Sequence, residues 1–234
     1  IFSLFPFESD LLKKHGVNFS YVGHPLAKSL SGNIDNIKLK RDLDISLNKE
    51  IIAILPGSRK SEIKHHDKPL SEFIIKYKKE NPDAEIVLAL NKKSDLLGRL
   101  EKLSRNVKVI FDSSQQVLSV CDLAVVASGT ATLEAGILAK PMVVIYKSNF
   151  LSNFILSNFF LKTKFIALPN ILSQEKVVFE LRQSQVSGEK IYEKVILSLK
   201  NKKNISEKLS SLKQSLLVSE SNKFTNAIQE IYSK

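Results

Sequence analysis

One cysteine in 234 residues, Cys121, is too few for an intrachain disulfide framework and fits a reducing compartment. It stands just before the apolar run Leu123 to Val126, so a buried, inert thiol is expected. Long apolar runs are also missing. The most apolar stretch, Phe150 to Phe165, is broken by Asn and Ser and framed by Lys147, Lys162 and Lys164. It falls short of the roughly 20 apolar residues a membrane span needs. It reads either as a helix buried against a sheet or as an interfacial helix dipping into lipid. The net charge is +11. No RNP, KH, zinc-finger or helix-turn-helix signature accompanies it, so no nucleic-acid partner is expected. An anionic membrane surface, an anionic substrate or a lysine-rich composition each accounts for the charge. There is no internal repeat, no low-complexity tract, no GxGxxG and no Walker sequence. His65-His66-Asp67 resembles a metal cluster only superficially, because adjacent helical residues point in different directions. No metal and no cofactor are expected.

What is present is an alternation of strand and helix patterns. Residues 1–5, 9–14 and 19–22 read as a strand–helix–strand unit, and residues 28–49 as a polar, weakly periodic linker. From residue 50, strand patterns at 51–55, 85–90, 107–111, 122–127, 142–146 and 165–167 alternate with helical ones. The helical patterns fall at 61–80, 94–104, 114–120, 131–139 and 150–161. Further helices are expected at 177–183, 188–200, 204–217 and 221–232. Such alternation implies a parallel sheet covered on both faces, an α/β fold of the doubly wound, Rossmann-like kind.

Two strand-to-helix loops are rich in small residues. In the first, Gly57, Ser58 and Arg59 follow Ile51 to Leu55, and Glu62 lies in the helix that follows. In the second, Ser128, Gly129, Thr130, Ala131 and Thr132 follow Leu123 to Val126. Glycine allows a sharp turn and close backbone approach to a ligand, and free N–H groups at a helix start suit an anion. Glu134, expected in the first turn or so, is favoured by the helix dipole but repels phosphate, so sugar hydroxyls suit it better. A plain N-capped helix explains the second loop equally well. In an open α/β sheet such loops meet outside the carboxyl ends of the strands, where ligands bind.

Six segments in order carry a resemblance: Pro6-Phe-Glu8, Tyr21-Val-Gly-His-Pro25, Leu55-Pro-Gly-Ser-Arg-Lys-Ser-Glu-Ile63, Ser128-Gly-Thr-Ala-Thr-Leu-Glu134, Lys140-Pro-Met142 and Leu168-Pro-Asn-Ile171. Together they resemble lipid-A-disaccharide synthase, a family of inverting glycosyltransferases of the GT-B fold. The resemblance runs from residue 6 to about residue 183. It implies a donor-binding domain at 50–203, a tail of the amino-terminal acceptor-side domain at 1–27, a linker at 28–49, and carboxy-terminal helices at 204–234 that cross back. Ile1 opens the chain inside an apolar run, so an amino-terminally truncated piece is expected, able to hold donor but not to turn over alone.

The implied reaction joins UDP-linked 2,3-diacylglucosamine to 2,3-diacylglucosamine 1-phosphate and releases UDP, at the cytoplasmic surface of the inner membrane of a Gram-negative bacterium. Other UDP-sugar transferases, UDP-N-acetylglucosamine 2-epimerases, and a non-catalytic nucleotide-binding or membrane-docking module are the alternatives. Arg59, with a planar fork that matches phosphate, is expected to neutralise the leaving diphosphate. Glu134 is expected to grip the ribose diol. The resemblance also carries Asn170 to the diphosphate or sugar and Glu180 and Gln183 to the cleft edge, although Phe179 stands where the family pattern has proline. His24 is expected to be structural rather than a general base.

Overall fold

The apolar runs line up in one parallel sheet because each is buried on both faces and satisfies its backbone only by pairing with its neighbours. The computed structural model describes residues 1–30, 32, 34–91, 107–148 and 164–217. At the amino end, β1 (Phe2–Ser3), α1 (Pro6–Lys14) and β2 (Ser20–Tyr21) form a small parallel unit. Helix α2 (Pro25–Ser29) follows, running into the stretch 28–49 that reads as a linker, and α3 (Asn36–Asp42) lies within that stretch. The Asp35 side chain caps α3 by accepting the Ile37 and Lys38 N–H groups, both at 3.0 Å. Leu39 and Leu43 pack on the main core, and Ile45 is buried in it.

The main sheet holds β3 (Ile51–Leu55), β4 (Glu85–Leu90), β5 (Lys108–Phe111), β6 (Leu123–Ala127), β7 (Met142–Tyr146) and β8 (Phe179–Arg182). Its order is β5-β4-β3-β6-β7-β8, all parallel. The chain builds outward from β3 in one direction and then returns to build from β6 in the other. The crevice between the carboxyl ends of β3 and β6 is therefore the topological switch point. Alternate residues divide the core: Ile52 and Ile54 face one layer, and Ile51, Ala53 and Leu55 the other.

The first layer is α4 (Lys60–Glu80) with α8 (Gly188–Lys200), which contribute Ile63, Phe73, Tyr77, Ile191 and Val195. Burying one such side chain as large as Phe73 contributes about 1.5–3 kcal/mol. The second layer includes α5 (Ser114–Val120), α6 (Thr130–Ile137) and α9 (Lys202–Leu216). Helix α9 lays an apolar stripe, Ile205, Leu209, Leu212 and Leu216, on this side. Its last turn reaches the amino-terminal unit: the Tyr21 hydroxyl donates to the Ser215 carbonyl at 3.0 Å, and Leu216 packs with Ala27 and Leu30. No helix among the described residues is long and apolar enough to cross a membrane.

Two expectations are corrected. Residues 165–167 do not form a strand, and residues 177–183 do not form a helix: the sixth strand is Phe179–Arg182, paired with Val143 to Tyr146. The edge of β7 accounts for the second, and one side chain for the first. The Glu180 carboxylate accepts the Ile166 N–H at 3.0 and 3.1 Å and the Ala167 N–H at 2.9 Å, so that segment is satisfied without a sheet partner. The segment instead leads into α7 (Leu168–Ser173). The helices expected at 94–104, 150–161 and 221–232 lie outside the described residues.

Candidate functional site

A cavity of about 370 Å³ opens at the switch point, with both small-residue loops on its walls. The first loop turns at Gly57, where φ is +115°, a left-handed value that suits glycine. A Cβ there would also stand 2.7 Å from Glu62 Oε2. That carboxylate accepts the Ser58 and Arg59 N–H groups at 3.3 and 3.4 Å, and its other oxygen pairs with Arg59 Nη1 at 3.3 Å. Glu62 thus shapes the loop from within and already occupies its N–H groups. The Arg59 side chain is 80% exposed, and its ion pair with Glu62 is a weak restraint at the surface.

The second loop turns at Gly129, φ +151°, where a Cβ would meet nothing within 4 Å. Backbone conformation, not space, asks for glycine here. The N–H groups of Thr130 and Ala131 open α6 and have no intrahelical acceptor, so they face the cavity as anion donors. Ser128 lines the wall and donates through Oγ to the Ile166 carbonyl at 3.2 Å. Glu134 lies in the second turn of α6, one turn deeper than expected. Its Oε1 accepts from Gln115 Nε2 at 3.1 Å.

The cavity therefore brings together Gly57, Ser58, Arg59, Glu62, Ser128, Gly129, Thr130, Ala131 and Glu134. It leaves out four residues expected beside them. Thr132 is fully buried, with its hydroxyl donating to the Gly129 carbonyl at 2.7 Å and accepting the Leu168 N–H at 3.4 Å. Asn170 is also fully buried and spends its whole amide internally. Its Nδ2 donates to the Val178 carbonyl and to Glu180 Oε1, both at 2.9 Å, and its Oδ1 accepts the Val177 and Val178 N–H groups at 2.8 and 2.9 Å. Glu180, its side chain 7% exposed, pairs with Arg182 at 2.7 Å besides holding residues 166 and 167. Gln183 accepts the Ser148 N–H at 3.3 Å. These residues form a scaffold beside the cavity and touch its lining through Ser128 and Ile166.

Asn91, Ser114 and Gln115 escape the sequence reading, although Asn91 and Ser114 line the cavity and Gln115 holds Glu134. The signal for them is a further strand-to-helix junction after Phe111, where Ser113 and Ser114 open α5. His66 is a second omission. It is buried on the apolar stripe of α4, with Nδ1 2.8 Å from the Pro56 carbonyl and Nε2 accepting the Lys147 N–H at 3.2 Å. A lone polar residue on an otherwise apolar helix face is its signature. His24, as expected, is structural: its Nδ1 accepts the Leu26 N–H at 3.2 Å and caps α2. Burial lowers its pKa. Burial pushes the Cys121 thiol up to about 12, an inert value.

The family model described as lipid-A-disaccharide synthetase matches residues 1–232. A lipid-A-disaccharide synthase of Albidiferax ferrireducens is 34% identical over 218 residues, covering 92% of this chain and 56% of the relative. Among solved structures, a UDP-GlcNAc 2-epimerase from Neisseria meningitidis bound to UDP-GlcNAc superposes with a TM-score of 0.65 at 16% identity, covering 96% of this chain and 59% of that one. WaaG, a glycosyltransferase involved in lipopolysaccharide biosynthesis, gives 0.56 at 11% identity, covering 94% and 58%. The two structural likenesses speak for the fold alone, and it is the GT-B type of α/β fold. The chain spans about half to three-fifths of the length of the curated relatives it matches.

Proposed function

The chain belongs to the lipid-A-disaccharide synthase family, and on that premise we propose that it is the UDP-sugar donor half of a transferase of lipid A biosynthesis. The donor is a UDP-linked 2,3-diacylglucosamine, the acceptor 2,3-diacylglucosamine 1-phosphate, and the products a β-1,6-linked disaccharide and UDP. Residues 50–203 bind the donor, residues 1–27 belong to the acceptor-side domain, residues 28–49 link the two, and the described part of the carboxy-terminal segment 204–234, residues 204–217, crosses back. The enzyme works at the cytoplasmic face of the inner membrane, where a chain of net charge +11 meets anionic head groups. The apolar residues 150–163, which would dip into lipid, lie outside the described residues.

One observation carries the reading: an exposed guanidinium, a helix start whose first N–H groups have no intrahelical acceptor and a carboxylate converge on one cavity at the switch point. Negative charge grows on the diphosphate as the glycosidic bond to UDP breaks. Arg59 swings from Glu62 to meet it, and the Thr130 and Ala131 N–H groups hold the same charge from the other wall. Glu134 lies too far along α6 to share that task. Its Oε1 is fixed by Gln115, which leaves Oε2 to accept the ribose hydroxyls. Gly57 and Gly129 let both loops approach the phosphates.

Calorimetric titration of the 234-residue chain with UDP tests this. Binding that weakens in Arg59→Ala and Glu134→Ala variants of unchanged fold is the expected result. Absence of UDP binding by the folded wild-type chain, or equal binding by both variants, would overturn it.

A further inference from the structure

The two loops of the proposed donor site differ in what anchors them. Only Ser128 and Gly129 separate β6 from α6, and the Ser128 N–H is held by the Ile145 carbonyl of β7 at 2.9 Å, whereas β3 and α4 are separated by the longer loop Pro56–Arg59. Glu62 ties it within its own helix. The tie to the rest of the sheet is His66. Its ring spans from the Pro56 carbonyl, at the head of the Arg59 loop, to the Lys147 N–H just past β7. An N–H donor at Nε2 requires a lone pair there, so the proton sits on Nδ1 and is donated to Pro56. A doubly protonated ring has no lone pair and would set its Nε2–H against the Lys147 N–H.

We infer that His66, as its neutral Nδ1–H tautomer, is the positioning residue that holds the Arg59 loop at the phosphate end of the site, and that acid releases the loop by protonating it. This rests on the donor-site reading above. The charged and titratable groups around the ring are Glu62 and His65 from α4 and Lys147 just past β7. Burial is the largest influence and lowers the His66 pKa, and His65 and Lys147 act in the same direction. The Pro56 hydrogen bond and Glu62 oppose it. The ring is therefore neutral at neutral pH. The unfolded chain takes up this proton near the usual value of about 6.5, before the folded chain does. Stability from His66 is thus complete above that pH and is lost as pH falls toward the lowered folded value.

The test combines two variants with three readouts: UDP affinity, amide exchange and the ring tautomer. His66→Leu removes both bonds and keeps an apolar helix face. His66→Asn keeps a donor for Pro56 but cannot titrate. At pH 7.5, His66→Leu is expected to weaken UDP binding about tenfold, the scale of losing one or two buried hydrogen bonds, and to speed amide exchange at Gly57, Ser58 and Arg59. His66→Asn retains most of the affinity. As pH falls from 7.5 through the lowered His66 value, within the range where the chain stays folded, the wild type loses more affinity than His66→Asn does, and that difference cancels the titration of UDP itself. Nitrogen-15 spectra of the wild type show the Nδ1–H tautomer.

Wild-type affinity and loop exchange in a folded His66→Leu, matching acid profiles for wild type and His66→Asn, or an Nε2–H tautomer would each overturn the inference. If His66→Leu does not fold, the His66→Asn profile and the tautomer still decide. If the wild type binds no UDP, the donor-site reading falls with it. Fast loop exchange in His66→Leu then supports His66 as the loop's tie, and unchanged exchange overturns that too.

Discussion

Two polar clusters, one at the carboxyl ends of β3 and β6 and one around Asn170 at the start of β8, spend their hydrogen bonds in opposite ways. Around the cavity, Arg59 is exposed and loosely paired, the first N–H groups of α6 have no intrahelical acceptor, and Glu134 has one oxygen fixed. In the neighbouring cluster, Asn170 uses every donor and acceptor it has, and Glu180 binds two backbone N–H groups, an amide and a guanidinium. Residue type alone does not separate the two, since both contain an arginine beside a carboxylate. The unspent hydrogen-bonding capacity separates them. A group whose valences are filled inside the fold supports its neighbours; a group with valences to spare can meet a ligand.

The sharpest way to break this comparison is to remove Asn170. Asn170→Ala leaves the Val177 and Val178 N–H groups and the Val178 carbonyl unpaired in the interior. Stability should fall by about 3–5 kcal/mol, less than the sum of the separate penalties because neighbouring losses are not additive. Urea denaturation measures this, and the surviving folded fraction should bind UDP as the wild type does. A stable Asn170→Ala chain with lost UDP affinity would reverse the assignment of the two clusters.

Arg59→Ala is the mirror experiment. In the complete enzyme it should lower kcat by about 2.7–4 kcal/mol of transition-state stabilisation. Its thermal stability should shift little, because exposed ion pairs contribute about 0–1 kcal/mol. Steady-state kinetics and a melting curve on the same sample give both numbers. Lysine at position 59 should recover only part of the rate, having lost the planar fork.

Why one cluster was legible in the sequence and the other was not follows from the same contrast. Strand, glycine turn and helix start are local features, so the loops at Gly57 and Gly129 are visible in the sequence. The parallel sheet is legible for a similar reason: Ile51 to Leu55 and Leu123 to Val126 are continuous apolar runs. Asn170 and Glu180 were assigned by resemblance, and their burial depends on a partner strand that local pattern missed. Phe179 to Arg182 is short and alternating, and it becomes a strand only because β7 offers an edge. Gln115 and His66 act across 19 and 81 residues of sequence, on Glu134 and Lys147 respectively, distances at which a single chain gives no local cue.

Smaller effects sharpen the boundary. Gly129→Ala should destabilise by about 1–3 kcal/mol through its left-handed φ, without a steric clash, and calorimetric melting checks this. Gln115→Ala should weaken UDP binding a few-fold by freeing Glu134, roughly the worth of one hydrogen bond. The loss should vanish in a Glu134→Ala background, as a double-mutant cycle by calorimetry would reveal. Cys121, with its thiol pushed up to about 12, should resist a thiol reagent at pH 8 until the chain unfolds.

The most direct test follows backbone and side-chain amides of the isotopically labelled chain by NMR while UDP is added. The account predicts the largest shifts at Ser58, Arg59, Gly129, Thr130 and Ala131, with the Asn170 side-chain amide nearly still. Large movement of the Asn170 amide with silent loops would contradict it.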